Sequence, residues 1–178
     1  MSLPPSTKDF PPEDHDIHIE ELIIEDAQEI AQLMALVWPE STHIPLEWRQ
    51  NRILSPDQII NEMTSGYQYF GARIQSQIAG FYKAILKPEG LFGEHQTVHP
   101  DFRHRGLVRA MYHQFITYAQ ELKAPANLCN ILYDHDTMRK LVESFGFQPE
   151  GEPYEQAPGM LVQLYKRPTQ IQDFKKKG

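Results

Sequence analysis

Between Val98 and Arg109 the chain reads V-H-P-D-F-R-H-R-G-L-V-R, which gathers Arg103, His104, Arg105 and Arg109 around Gly106. The residues before it, 91–98, have the composition of a strand, and 107–122 carry a helical apolar stripe. A strand, a basic glycine turn and a helix start together make an anion site. The first amides of a helix lack intrahelical acceptors and carry the positive end of the dipole, so they suit a phosphate. A glycine lets the ligand approach the backbone closely. Arg103, Arg105 and Arg109 would add charge-assisted hydrogen bonds to phosphate oxygens. The same residues would also serve as an ordinary solvated helix start, so the assignment depends on their surroundings. Neither G-x-x-x-x-G-K-[ST] nor G-x-G-x-x-G occurs, which excludes a P-loop and a dinucleotide fingerprint.

Composition bounds the classes. The chain has 178 residues, 40% hydrophobic and 23% charged, which fits one globular domain with a core. The formal net charge of -7 argues against a general nucleic-acid binder and makes the basic turn a local exception. The longest apolar run, 30–38, is too short to span a bilayer, so no membrane association is expected. The N-terminus has no apolar signal segment. Cys129 is the only cysteine, which rules out an internal disulfide and a cysteine-rich zinc site. His95, His99 and His104 form no helical ligand pair, so no metal is expected. These features fit a cytoplasmic location.

The positioning elements follow from periodicity and punctuation. Residues 1–16, rich in Pro, Asp and Glu, read as a flexible tail, and 169–178 as a polar basic tail; the domain between them is 17–168. Ile17 to Ile24 reads as a strand. Asp26 and Glu29 have capping-box spacing for a helix whose face is Ile30, Leu33, Met34 and Val37. Residues 45–63 read as a helical region broken at Ser55-Pro56. Strands are predicted over 67–74, 78–86, 91–98, 126–132 and 160–166, and helices over 107–122 and 134–145, the last closed by Gly146. This order predicts an α/β (α+β) fold: a mixed, mostly antiparallel sheet of six or seven strands with helices on both faces.

Four segments in this order resemble the GNAT superfamily of acyl-CoA-dependent N-acyltransferases. Glu25-Asp26-Ala27 is similar to the usual opening of the first helix. Ile78-Ala79-Gly80-Phe81 is similar to the third strand. Val98-x-Pro100-x-x-Arg103-x-x-Gly106-x-Val108 resembles the pyrophosphate motif R/Q-x-x-G-x-G/A. Gly146-Phe147 resembles the closing G-F. The resemblance covers about 17–167. Two positions depart from it: Val108 stands for the motif's last small residue, and Val142 stands where the family often carries a tyrosine acid.

The resemblance implies acetyl-CoA as cosubstrate and an amine acceptor, with direct acetyl transfer in a ternary complex. The turn residues Arg103, His104, Arg105, Gly106, Leu107, Val108 and Arg109 would hold the CoA pyrophosphate. The pantetheine arm would run along Thr97, Val98 and His99, with the amide near Val98 polarising the thioester carbonyl. Glu94 occupies the strand position where the family often has its general base, and burial there would raise its pKa into the working range. A surface or arginine-paired glutamate is the plainer reading of the same residue. His95 is the neighbouring alternative. Tyr133, at the end of a strand, is a substitute acid or a packing tyrosine. A non-catalytic acyl-CoA sensor or scaffold is the second functional reading, and Val142 favours it. The acceptor is set by 40–51 and 151–159, which carry no recognisable code. A monomer and a homodimer both remain compatible with the sequence.

Overall fold

A computed structural model describes residues 17–169; the expected tails, 1–16 and 170–178, lie outside the described residues. The chain begins with a short strand, β1 (Glu20–Leu22), and turns through Ile24–Asp26 into α1 (Ala27–Val37). The expected first strand, 17–24, is thus shortened, because Ile23 and Ile24 face solvent and the chain is already turning. Ile30, Leu33, Met34 and Val37 are all buried, as their spacing predicts. The expected capping box does not form, since Asp26 makes no side-chain cap to α1. Instead Glu29 accepts from the Ile78 amide at 2.6 Å, and Asp26 and Glu29 both bind Arg73, at 2.5 and 3.0 Å. The two acids therefore pin the helix start to the sheet.

Trp38–Glu40 is a single tight turn, followed by α2 (Leu46–Asn51) and α3 (Pro56–Thr64). The predicted break at Ser55-Pro56 is a helix start: Ser55 Oγ accepts from Gln58 N at 3.2 Å, and Gln58 Oε1 accepts from Ser55 N at 2.8 Å. A hairpin follows, β2 (Gln68–Ile74) and β3 (Gln77–Lys87), closed by Gln75 and Ser76 at φ 53° and 66°. Then come β4 (Gly90–Val98), α4 (Leu107–Glu121), β5 (Ala126–Leu132), α5 (Asp136–Ser144), β6 (Gln148–Ala157) and β7 (Met160–Pro168). Among the described residues seven strands order as β1-β2-β3-β4-β5-β7-β6, and only β4 and β5 pair in parallel. The sheet is mixed and mostly antiparallel, with helices on both faces, as expected.

Strand β6 was not expected. Its residues include Pro149, Gly151 and Pro153, and eight of its ten positions are exposed, all but Pro153 and Ala157. It has no alternating apolar pattern of its own and is created by pairing with β7. One sheet face carries α1 and α3 over Ile30, Met34, Ile59, Tyr69 and Phe81. The other carries α4 and α5 over Met111, Phe115, Val142, Phe147 and Tyr165. Each large apolar side chain fully buried there contributes about 1.5–3 kcal/mol. Among the described residues no helix is long and apolar enough to cross a membrane.

Gly93 sits where α4 presses hardest on the sheet: a Cβ there would lie 2.8 Å from the Phe115 ring. Gly93→Ala is expected to lower stability by about 1–3 kcal/mol through overpacking, read as a shift of the urea midpoint at unchanged slope.

Candidate functional site

The site arises from a mismatch within β4. Phe81 pairs with Thr97 and Lys83 with Glu94, so two β4 residues, His95 and Gln96, stand opposite Tyr82 alone. This is a bulge, and His95 takes φ 62°, a left-handed conformation uncommon outside glycine. Three contacts hold it. Its Nε2 lies 3.0 Å from the Arg52 carbonyl, its ring meets Trp38 edge-on at 5.7 Å, and its own carbonyl accepts from Thr97 Oγ1 at 2.8 Å. A carbonyl only accepts, so Nε2 carries the hydrogen. Burial, then the Arg52 and Lys83 cations, push the imidazole pKa well below its usual value, so the ring is neutral at pH 7.

On its other side β4 loses its partner. The parallel register with β5 runs Leu91–Asn127, Phe92–Leu128, Gly93–Cys129 and stops. Beyond it the two strands part around a cavity of about 320 Å³. The His99 amide donates to Ala79 across β3 at 2.8 Å, so antiparallel alternation turns the Val98 amide the opposite way, toward the gap. Thr97 is buried, and Val98 lines the cavity. The His99 ring packs on Phe102 at 5.3 Å and accepts from the Asp101 amide at 3.1 Å.

The basic turn closes one end. His104 and Gly106 take φ 61° and 82°, and Gly106 is the N-cap of α4 without a side-chain cap. Among the described residues no backbone acceptor meets the amides from His104 to Val108. Arg103 and Val108 line the cavity, while Leu107 is buried beneath it. The Arg105 and Arg109 guanidiniums lie 5.2 and 5.3 Å from the rings of Phe102 and Phe145. This fifteen-residue helix thus offers a charged, hydrogen-bonding pole at the mouth of the gap, which fits a polyanion such as a pyrophosphate.

Glu94 lines the same cavity, partly exposed, with Lys83 Nζ at 4.0 Å. Lys83 is itself buried and held by both oxygens of Glu62 at 2.8 Å, and Tyr69 donates to Glu62. The Lys83 ammonium stands 4.6 Å over the Tyr67 ring. Burial and the negative charge of Glu94 raise the Tyr67 pKa, which keeps that phenol protonated beside the carboxylate. The network fixes Glu94 without neutralising it by a close ion pair.

Tyr133 does not join this group. It lies outside the cavity lining, largely exposed, with its carbonyl accepting from Arg139 and its ring 5.4 Å from that guanidinium. The strand has ended, and the chain turns away toward α5. His135 is the N-cap of that helix, which therefore starts at Asp136 and not at 134. Val142 is fully buried and packs in the core. Sequence reasoning did not single out Arg52, Tyr112 or the cavity position of Cys129. Arg52 lines the cavity between two indoles, and Tyr112 hydrogen-bonds Cys129 where β4 and β5 part. Their signal was tertiary: a helix end and a strand middle carry no mark of facing one space.

The acetyltransferase (GNAT) family profile matches residues 19–147. Among solved structures, the ribosomal-protein-S18-alanine N-acetyltransferase of Escherichia coli is 16% identical, with a TM-score of 0.68 over 86% of this chain and 94% of that one. The PaiA N-acetyltransferase of Thermoplasma acidophilum, in complex with coenzyme A, is 14% identical, with a TM-score of 0.69 over 85% and 99%. YncA of Salmonella typhimurium, with acetyl-CoA, is 14% identical, with a TM-score of 0.70 over 88% and 96%. At such identities the likeness is one of fold. No curated protein sequence matches the chain significantly.

Burial raises the Cys129 thiol from 9.0 to about 12, with Tyr112 partly offsetting the shift. A raised folded value means the native state holds this proton more tightly than the unfolded chain. The contribution is complete below pH 9 and is lost as pH rises toward about 12. The urea midpoint of the wild type is expected to fall between pH 9 and 10.5, and Cys129→Ala should show a shallower fall over the same interval. Parallel curves for the two proteins would refute the assignment.

Proposed function

Because this chain belongs to the acetyltransferase (GNAT) family, we propose that it moves an acetyl group from acetyl-CoA to a primary amine by direct transfer in a ternary complex. The observation that carries this reading is the parting of β4 from β5 beside the α4 N-terminus. It leaves an outward-facing strand edge, an anion-binding pole and a carboxylate around one cavity. The coenzyme A and acetyl-CoA complexes of the fold neighbours support the choice of cosubstrate.

The residues divide the work. The amides from His104 to Val108, with Arg103, Arg105 and Arg109, hold the pyrophosphate. Thr97, Val98 and His99 supply the edge for the pantetheine arm, and the Val98 amide donates to the thioester carbonyl, where negative charge develops. Acetyl-CoA supplies an activated acetyl thioester. Glu94 accepts a proton from the bound ammonium, directly or through water; the neutral amine then forms the C–N bond, the C–S bond breaks, and the second amine proton leaves to solvent. Tyr112, kept protonated by burial and in the cavity wall, is better situated than Tyr133 to return a proton to the leaving thiolate. The second reading, an acyl-CoA sensor without catalysis, draws on the burial of Val142 where a tyrosine acid would stand. An ordered Glu94 in the same cavity speaks for the enzyme.

Calorimetry separates the two parts. Wild type is expected to bind acetyl-CoA, and Gly106→Trp, with its fold checked by circular dichroism, to bind about 100-fold more weakly or not at all, because its side chain fills the backbone approach. A folded wild type that binds no acetyl-CoA would defeat both readings.

Glu94→Gln is expected to bind acetyl-CoA within twofold of wild type while kcat with an amine acceptor drops about 10²-fold or more. Unchanged turnover would remove Glu94 from the mechanism.

A further inference from the structure

Arg52 is a charged cavity residue that the transfer reading leaves unused. It ends α2, its carbonyl is held by His95 Nε2 at 3.0 Å, and its own amide bonds Arg49 at 3.2 Å. Its guanidinium lies 3.7 Å from the centre of the Trp48 ring and 5.1 Å from that of Trp38. Trp38 also packs on His95, so helix end, bulge and cation are braced against one another. Among the described residues no carboxylate reaches this guanidinium within 4.0 Å, and none of its N–H groups has a hydrogen-bond acceptor. Glu94 acts on it only at longer range.

A planar cation stacked on an indole keeps its rim of donors for an acceptor in the plane. Burial lowers its pKa to about 10, so it stays charged at pH 7 while poorly solvated. A partly desolvated charge without a partner stabilises nothing by itself, and an anion entering the cavity would satisfy it. The anion and the amine then share one small space. Val37, Ile44, Met160 and Val162 give the cavity an apolar stretch of wall, beside the polar side chains of Ser41, His43, Asn130 and Gln156.

Resting on the acetyl-transfer reading, we propose that the acceptor is a free α-amino acid with an apolar side chain. Arg52 binds its carboxylate in the cavity that holds Glu94 near its amine. The carboxylate and amine of such a molecule are both bonded to its α-carbon, and Arg52 and Glu94 both line the one cavity. The amine of a peptide N-terminus would bring a neutral amide to Arg52 and leave it unsatisfied. An amine without a carboxylate would do the same.

The test uses the full chain, acetyl-CoA and a set of apolar amino acids, each with its carboxamide and its decarboxylated amine. Acetylated product is quantified by mass spectrometry. Wild type is expected to favour an acid over its amide by about 30-fold in kcat/KM, the scale of charge-assisted hydrogen bonds. In Arg52→Gln that preference should collapse while turnover of the amide stays within threefold. Arg52→Lys should recover part of it. Equal use of acid and amide by wild type, or equal loss of both in Arg52→Gln, overturns the amino-acid assignment and leaves acetyl transfer standing. A chain that binds acetyl-CoA by calorimetry yet acetylates none of these amines overturns the amino-acid assignment.

Discussion

The site depends on β4 being unable to satisfy both of its neighbours along its whole length. Near its start it pairs with β3 and β5 together, up to Gly93. From the bulge at His95 onward it keeps only β3. The extra residue turns the strand, and β5, committed to β7 through Leu132, cannot follow. An unpaired edge inside a sheet is costly, because backbone groups left without partners carry a penalty comparable to a lost hydrogen bond. Here the penalty is tolerated because the edge borders a cavity into which a polar ligand can enter.

Two charged groups meet at that bulge. Glu94 belongs to the network of Lys83, Glu62, Tyr67 and Tyr69, which reaches it from the α3 side. Arg52 comes from the end of α2 and is braced by Trp38, Trp48 and His95. The bulge residue thus touches one group through the peptide bond and the other through its ring. A change in the His95 backbone would displace acid and cation together, which ties the chemistry to a local backbone conformation and not to any single side chain.

The sheet, the helices on its faces and the glycine turn that opens α4 were legible because periodicity and punctuation carry them. Ala126–Leu132 is bounded as its apolar run predicts, and Gly106 is left-handed where a basic glycine turn requires it. Other features were hidden for identifiable reasons. Asp26 and Glu29 have capping spacing, yet the demand of Arg73 and the Ile78 amide, brought near by the sheet, outcompetes the cap. Tyr133 follows the fifth strand as expected, but the turn toward α5 directs it outward. Arg52 falls in the helical region 45–63 with no mark in the sequence; only the packing of Trp38 and Trp48 distinguishes it.

Strand β6 lends this architecture a kind of evolvability. Its residues are held by backbone pairing to β7 and almost none is packed, so most of their side-chain identities cost the fold nothing. Yet Gln156, near its end, reaches the cavity wall. Substitutions along this strand are therefore a route by which selection can retune what the cavity admits, while the bulge, the turn and the core remain as they are.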